Sequence, residues 1–355
     1  MKLLVIFLFL VSCSSSILKY QGDHNITKNT DFENKVKIKG DKVAEDKASE
    51  AVKQTDDLIK PVHTETKSPP KIVKAKKSKQ DKSILKETLP KIIVPPVRQP
   101  EVEDSSGFEA GSRRPMVDPF RAGEIVTHSV SYFSAQAGIM TFTVKPFVEV
   151  NNRKSYNFLI DLKSSGIFSN FYSVDDQVET YLDFEDLVPH VFQMHLKESA
   201  QLKEAQSYFD QKNLKATYWE HKYTEKKGNE EKKLEWDILA YSQNAFSGIF
   251  YMRIFKWEIG KEYSFRVSDN EKNIIFKGTA LKKEKLSTDA GEFDAIKIKA
   301  QVVSRGLLEQ VGDIYIWVSD DDRKYILRVE AKIKIGTVVS EVISIKPGKS
   351  QENEK

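Results

Sequence analysis

From Phe120 onward, apolar and polar residues alternate with period two, the spacing of strands that bury one face and leave the other in water. Val126, His128, Val130 and Tyr132 share one face of a first strand, and Thr127, Ser129 and Ser131 share the other. The stretch Ala135-Gln136-Ala137-Gly138 reads as a turn, after which Met140, Phe142 and Val144 resume the alternation, followed by Tyr156, Phe158, Ile160 and Leu162. Similar runs are expected near 178–183, 191–197, 206–209, 215–221, 262–267, 274–282, 293–303, 313–318, 325–335 and 338–345. About a dozen strands joined by short polar turns predict a mainly β fold, a curved antiparallel sheet or half-barrel. No βαβ alternation occurs, which argues against a parallel nucleotide-binding sheet.

One segment departs from period two. Over residues 237–255, Leu239, Phe246 and Phe250 form a stripe at helical spacing, with Ile238, Ala245, Ile249 and Met252 beside it. This predicts an apolar helix laid across the sheet, and a shorter helical turn is expected over 166–172.

Composition divides the chain before Phe120. Between Ser14 and Ser106 the aromatic residues are Tyr20 and Phe32 alone, in a stretch rich in lysine, acidic residues and proline. Such a segment buries too little apolar surface to offset its chain entropy. The expected organisation is a signal segment over 1–12, a lipidated Cys13 opening a disordered linker over 13–117, a β domain over 118–347 and a disordered tail over 348–355. The first residues carry the sharpest motif. Met1-Lys2 precedes an unbroken apolar run from Leu3 to Leu10, and Leu10-Val11-Ser12-Cys13 follows, resembling a bacterial lipoprotein signal that ends in a lipobox. The run is too short for a permanent span of roughly 20 residues. Cys13 is the sole cysteine, so no disulfide framework competes for it. Acyl chains on Cys13 would make the membrane a partner, and Ser14, rather than aspartate, after the cysteine implies the outer membrane.

Charge narrows the ligand class. The chain carries +4 overall, but residues 14–106 hold 19 basic against 15 acidic residues and Lys2 adds one, leaving 36 basic and 37 acidic from Gly107 onward. A balanced domain gives no reason to expect nucleic acid. His128 lies on an apolar strand face, where a hydrogen-bonded core histidine is expected, and His190 and His195 point to opposite faces of one strand and cannot share a metal. Asp175-Asp176, Asp183-Phe184-Glu185-Asp186 and Asp320-Asp321-Asp322 could in principle supply paired acids, but their positions suit turns. No metalloprotease, hydrolase or phosphate-loop motif occurs, so no catalytic residue, cofactor or metal is expected.

Further motifs carry a resemblance to a family. Phe120-Arg121-Ala122-Gly123-Glu124 leading into Tyr132 and Ala137-Gly138, Asp175-Asp176 and Asp183 before Pro189, Phe209-Asp210, and Phe246-Ser247-Gly248-Ile249-Phe250-Tyr251-Met252-Arg253 before Gly260 occur in order. Gly291-Glu292-Phe293-Asp294-Ala295-Ile296 and Ile316-Trp317-Val318-Ser319-Asp320-Asp321-Asp322 before Gly336 complete the set. The whole resembles the exported bacterial family called domain of unknown function 3108, over about 119–345. Tyr325-Ile326 stands where that family often has proline. The architecture also resembles, at the level of fold, the half-barrels of outer-membrane lipoprotein carriers and receptors. The lipobox, the long spacer, the aromatic-rich antiparallel domain and the missing catalytic motifs together lead to the expectation of a non-enzymatic envelope lipoprotein that binds a lipid, glycolipid or other apolar or amphipathic envelope component. Tyr132, Phe142, Phe158, Phe246, Phe250 and Trp317 are the candidate cavity residues. The alternative is a scaffolding lipoprotein that grips an envelope protein or cell-wall polymer.

Overall fold

A computed structural model describes residues 17–18, 29–40, 98–99, 102–166, 168–304, 307–308, 313–333 and 336–349. In chain order its elements are α1 (Thr30–Lys35), β1 (Ile38–Gly40), β2 (Glu124–Tyr132), β3 (Ala135–Val150), β4 (Arg153–Ser164), α2 (Phe168–Phe171), β5 (Val174–Asp183), β6 (Pro189–Glu198), β7 (Leu202–Asp210) and β8 (Lys215–Thr224). There follow β9 (Gly228–Asp237), α3 (Ser247–Tyr251) with a 3-10 turn at Met252–Ile254, β10 (Glu262–Asp269), β11 (Lys272–Thr288), β12 (Gly291–Ser304), β13 (Leu307–Leu308), β14 (Ile314–Ser319), β15 (Ile326–Ile333) and β16 (Gly336–Pro347).

Among the described residues these strands form a single sheet of sixteen, in the order β10-β11-β12-β14-β15-β16-β2-β3-β4-β5-β6-β7-β8-β9, with β1 added to β3 and β13 to β12. Each ladder is antiparallel, as the period-two pattern predicts, and the path is open between β9 and β10. The sheet curls around α3 and its 3-10 turn, because one hydrophobic cluster joins Phe142 and Phe158 of β3 and β4, Phe250 and Met252, and Tyr263, Phe265 and Ile298 from the other side of the sheet. A second cluster, around Phe192, Met194 and Phe209, continues the inner face toward β9.

Strand order fixes two rims. The turns before β3, β5, β7, β9 and β11 lie at one rim, here called the upper. The turns before β4, β6, β8, β12 and β15, the crossover carrying α3 and the carboxyl end of β16 lie at the lower.

Several expectations need correction. The turn into β3 is at Phe133-Ser134, which have φ of 49° and 61°, and residues 135–138 already belong to the strand. The helix expected over 237–255 contracts to Ser247–Tyr251, because the Asn244 side-chain oxygen accepts from the Phe246 and Ser247 amides (2.9 and 2.7 Å) and starts the helix there. Before it, Gln243 forms a parallel bridge with Val267, and Leu239 is exposed. The missed strand β9 is mostly charged on both faces, a composition that blunts a free edge.

The linker expectation over 13–117 also fails in two places. Asn29 caps α1 by accepting from the Phe32 amide (3.1 Å), and Ile38↔Val150 pairing adds β1 to the sheet. Phe32 and Val36 are buried with Val150, Tyr181 and Val191 on the convex face, and Phe32 meets Trp219 edge-on at 5.8 Å. Residues 102–117, with Arg98, cover the lower rim, as described below. At the other end of the domain Lys349 donates its amide to the Ala122 carbonyl (3.0 Å), so ordered contacts run past 347. Cys13 and the signal segment lie outside the described residues.

Candidate binding face

The lower rim is closed by two sets of charge pairs, one between residues ten apart in sequence and the other between residues more than a hundred apart. Arg113, with a fully buried side chain, donates to both Glu103 oxygens (2.7 and 3.2 Å), to the Tyr251 hydroxyl (3.0 Å) and to the Asp186 carbonyl (2.7 Å). Burial alone would raise the Glu103 pKa, but Arg113 and Arg98 outweigh it and hold the carboxyl below its ordinary value. Burial pushes the Tyr251 hydroxyl up to about 12. Arg98 lies 3.5 Å from the Phe108 ring centroid. Beside this network Glu124, 1% exposed, accepts from Arg253 (2.6 Å) and from Arg323. Both guanidinium groups also donate to the Pro119 carbonyl, and Arg323 reaches Pro347 (2.8 Å). Three of the segments that carry the family resemblance therefore meet at one point: the chain entering β2, the end of the α3 region and the β14–β15 corner.

Two of the three acidic clusters are turn formers, whereas Asp175 and Asp176, expected at a turn, lie inside β5. Asp321 Oδ1 accepts from Ser319 Oγ and from the Arg323 and Lys324 amides, which makes 320–325 a hairpin corner. Asp183 accepts from Arg153, from His190 (2.9 Å) and from the Glu185 and Asp186 amides, and these partners hold its pKa far down despite burial. His128 is fully buried. Its Nε2 donates to the Ile326 carbonyl (2.9 Å), so Nδ1 accepts from the Ser340 hydroxyl (2.9 Å), and burial pushes the imidazole down to about 4. At the upper rim Asp176 is pushed up to about 8 by burial and by its hydrogen-bonded neighbour Glu198, which also accepts from Tyr172 and from Gln201 (2.9 Å).

The candidate cavity residues separate into three groups. Phe142, Phe158 and Phe250 come together, but as packing. Phe158 stacks on Phe250 with centroids 4.1 Å apart, and Phe142 meets the same ring at 6.2 Å, so no ligand fits between them. Trp317 must be corrected outright, since it pairs across the ladder with Lys297 and Arg328 and points away from Ile316 and Val318, which face the core. Its ring lies between those two cations on the convex side, with Nε1 donating to Glu284 (2.8 Å). Phe246 and Tyr132 alone stay on the inner side and half-buried.

Around these two the concave face changes character. The row Tyr132↔Val338↔Ala331↔Ile314↔Ala300 crosses five strands, and the row Leu162↔Met140↔His128 runs from β2 across two more. Near the lower rim the inward residues are fully covered by α3 and its 3-10 turn. Toward the upper rim Met140, Leu162, Ile314, Val329 and Val338 are only half-buried, and Phe246 and Ile249 of the α3 region are half-buried as well. These half-buried aliphatic side chains make an apolar strip, here called the trough, on the inner face of the sheet. On β5–β9 the same face near that rim carries Asp176, Glu198, Lys203 and Glu220, so the trough has one apolar wall and one polar wall. A separate cleft of about 110 Å³ lies at the lower rim among Arg114, Asp118, Phe147, Lys154, Tyr156 and Phe184. It is smaller than the few hundred cubic ångströms of ordinary ligand sites.

Sequence reasoning missed Glu103, Arg113 and the 29–40 segment. For the last a signal existed: Asn29 as cap, acidic Asp31 and Glu33 in the first turn, and Phe32 and Val36 four apart.

Comparison with known proteins adds the following. The family described as "Protein of unknown function (DUF3108)" matches residues 127–343. No curated protein matches. Among solved structures, a β-barrel-like protein of domain of unknown function DUF1849 from Brucella abortus is 10% identical, with a TM-score of 0.40 over 63% of this chain and 97% of that chain. A putative lipoprotein from Parabacteroides distasonis is 13% identical, with a TM-score of 0.30 over 65% and 99%. A putative exported protein with a YmcC-like fold from Bacteroides fragilis is 10% identical, with a TM-score of 0.28 over 65% and 98%.

Proposed function

The chain belongs to the DUF3108 family, and we propose that it is a lipid-anchored envelope protein, held in the outer membrane through Cys13, whose concave β face binds a lipid or other amphipathic envelope molecule without chemical conversion. The observation that carries this reading is the half-buried aliphatic wall of Met140, Leu162, Ile314, Val329 and Val338, opposite a polar wall and above a closed lower end. An acyl chain suits the first wall and a head group the second. The lipobox and Ser14 support the anchor and its membrane. The described histidines are held by a carbonyl and a hydroxyl, by carboxylates or by an asparagine oxygen, and the acidic corners by backbone amides, hydroxyls and basic side chains, which supports binding rather than catalysis.

Native mass spectrometry of the full chain extracted from membranes tests this. The expected result is a lipid-sized adduct that is lost in Ile314→Glu and Met140→Glu variants with unchanged circular dichroism. A bare domain with no affinity for added phospholipid or glycolipid overturns the proposal. Retention of Cys13→Ala protein in the membrane fraction would overturn the anchor separately.

A further inference from the structure

We infer that the upper rim of the half-barrel lies against the bilayer that holds Cys13, so that the concave face opens toward the membrane; this rests on the acylation of Cys13 proposed above. The first observation is the path of the chain. The Leu18 amide donates to the Glu198 carbonyl at the end of β6 (3.3 Å), which places residue 18 on the upper rim. Four residues lie between it and Cys13, and the five Cα–Cα steps from 13 to 18 span at most roughly 18 Å. The rim is therefore held close to the anchor, however long the 41–97 segment is, because that segment enters the chain after the domain has already been engaged by 18 and 29–40.

The second observation is what the rim displays. Phe171 in α2 and Phe133 before β3 are 73% and 71% exposed. Phe133 adopts φ 49°, a left-handed conformation that costs a residue with a side chain roughly 1–2 kcal/mol. The ring projects beyond the strand ends, against Tyr132 at 4.4 Å, and closes over Gly336, whose added Cβ would come within 3.0 Å of it. Backbone bonds stitch this rim together: Ser165 donates to the Ala137 carbonyl (3.0 Å), Ser199 to the Ser173 carbonyl (3.0 Å) and Leu18 to Glu198. Phe133, Phe171 and the Glu198 carbonyl that holds Leu18 thus lie on adjoining turns. Exposed aromatic side chains partition into the bilayer interface, and the short link to Cys13 selects that occupant over a soluble partner. An apolar ligand then moves between bilayer and trough without crossing water.

The experiment uses full-length protein extracted from membranes and reconstituted into vesicles of phosphatidylethanolamine and phosphatidylglycerol. Single cysteines at Phe133→Cys, Phe171→Cys and, at the opposite rim, Asp289→Cys are labelled with nitrobenzoxadiazole. With Cys13 acylated, the wild-type chain takes no dye; if it does, the anchor itself is overturned. In the unlabelled-wild-type case the expected result is a blue shift and lipid-borne quenching at 133 and 171, with aqueous iodide quenching at 289. Iodide quenching of all three positions alike overturns the membrane-facing rim while leaving the anchor standing.

Discussion

Glu124 is caught between Arg253 and Arg323 with almost no access to water, so removing its charge takes the counterion from the buried Arg253 and from the partly buried Arg323. Glu124→Gln is expected to cost about 3–5 kcal/mol, measured by urea unfolding, because a broken buried pair is penalised more than an intact one is rewarded. His128 and Asp176 give opposite pH dependences. The imidazole falls from an ordinary 6.5 to about 4 on folding, so its contribution is fully present above pH 6.5 and is lost as pH falls toward 4, about 3 kcal/mol in all. The Asp176 carboxyl rises from 3.8 to about 8, so its contribution is present below pH 3.8 and is lost as pH climbs toward 8. Stability curves of the two variants should therefore slope in opposite directions between pH 4 and 6.5: Asp176→Asn stability rises with pH and His128→Gln stability falls. Asp176→Asn should also exceed wild type most clearly near pH 8. The place of His128 on an apolar face was legible from alternation. Its partners, Ser340 and Ile326, were not, because they lie 212 and 198 residues away in sequence.

Elements were legible where one face is buried and the other is wet. β2, β4 and β16 follow their alternation, whereas β9 escaped notice because an edge strand with charges on both faces has no period. The α3 region shows the converse. Its apolar stripe satisfies helical spacing for nearly twenty residues, yet residues 238–246 are turns and irregular chain with a single bridge at Gln243, and Asn244 decides where the helix begins. The 29–40 segment depends on a single anchor ring. Phe32→Ala is expected to raise amide exchange throughout 29–40 and in the facing part of β8 while leaving β11–β15 protected, because the lost contacts hold a locally opening unit rather than the main core. Uniformly faster exchange would mean that this segment belongs to the global folding unit.

At the scale of the whole molecule, antiparallel order and a lower rim covered by residues 102–117 give the sheet two unlike rims among the described residues. The sequence by itself determined the β class, the family, the buried histidine and the turn chemistry of the Asp183 and Asp321 corners, since each depends on residues near one another along the chain. Tertiary structure decided which aromatic side chains are core, that Trp317 faces outward across a bulged ladder, that Glu103 and Arg113 seal one end, and that a segment resembling linker becomes part of the domain. Those outcomes depend on strand register and sheet curvature, which bring together residues more than a hundred positions apart, and no local pattern encodes such distances.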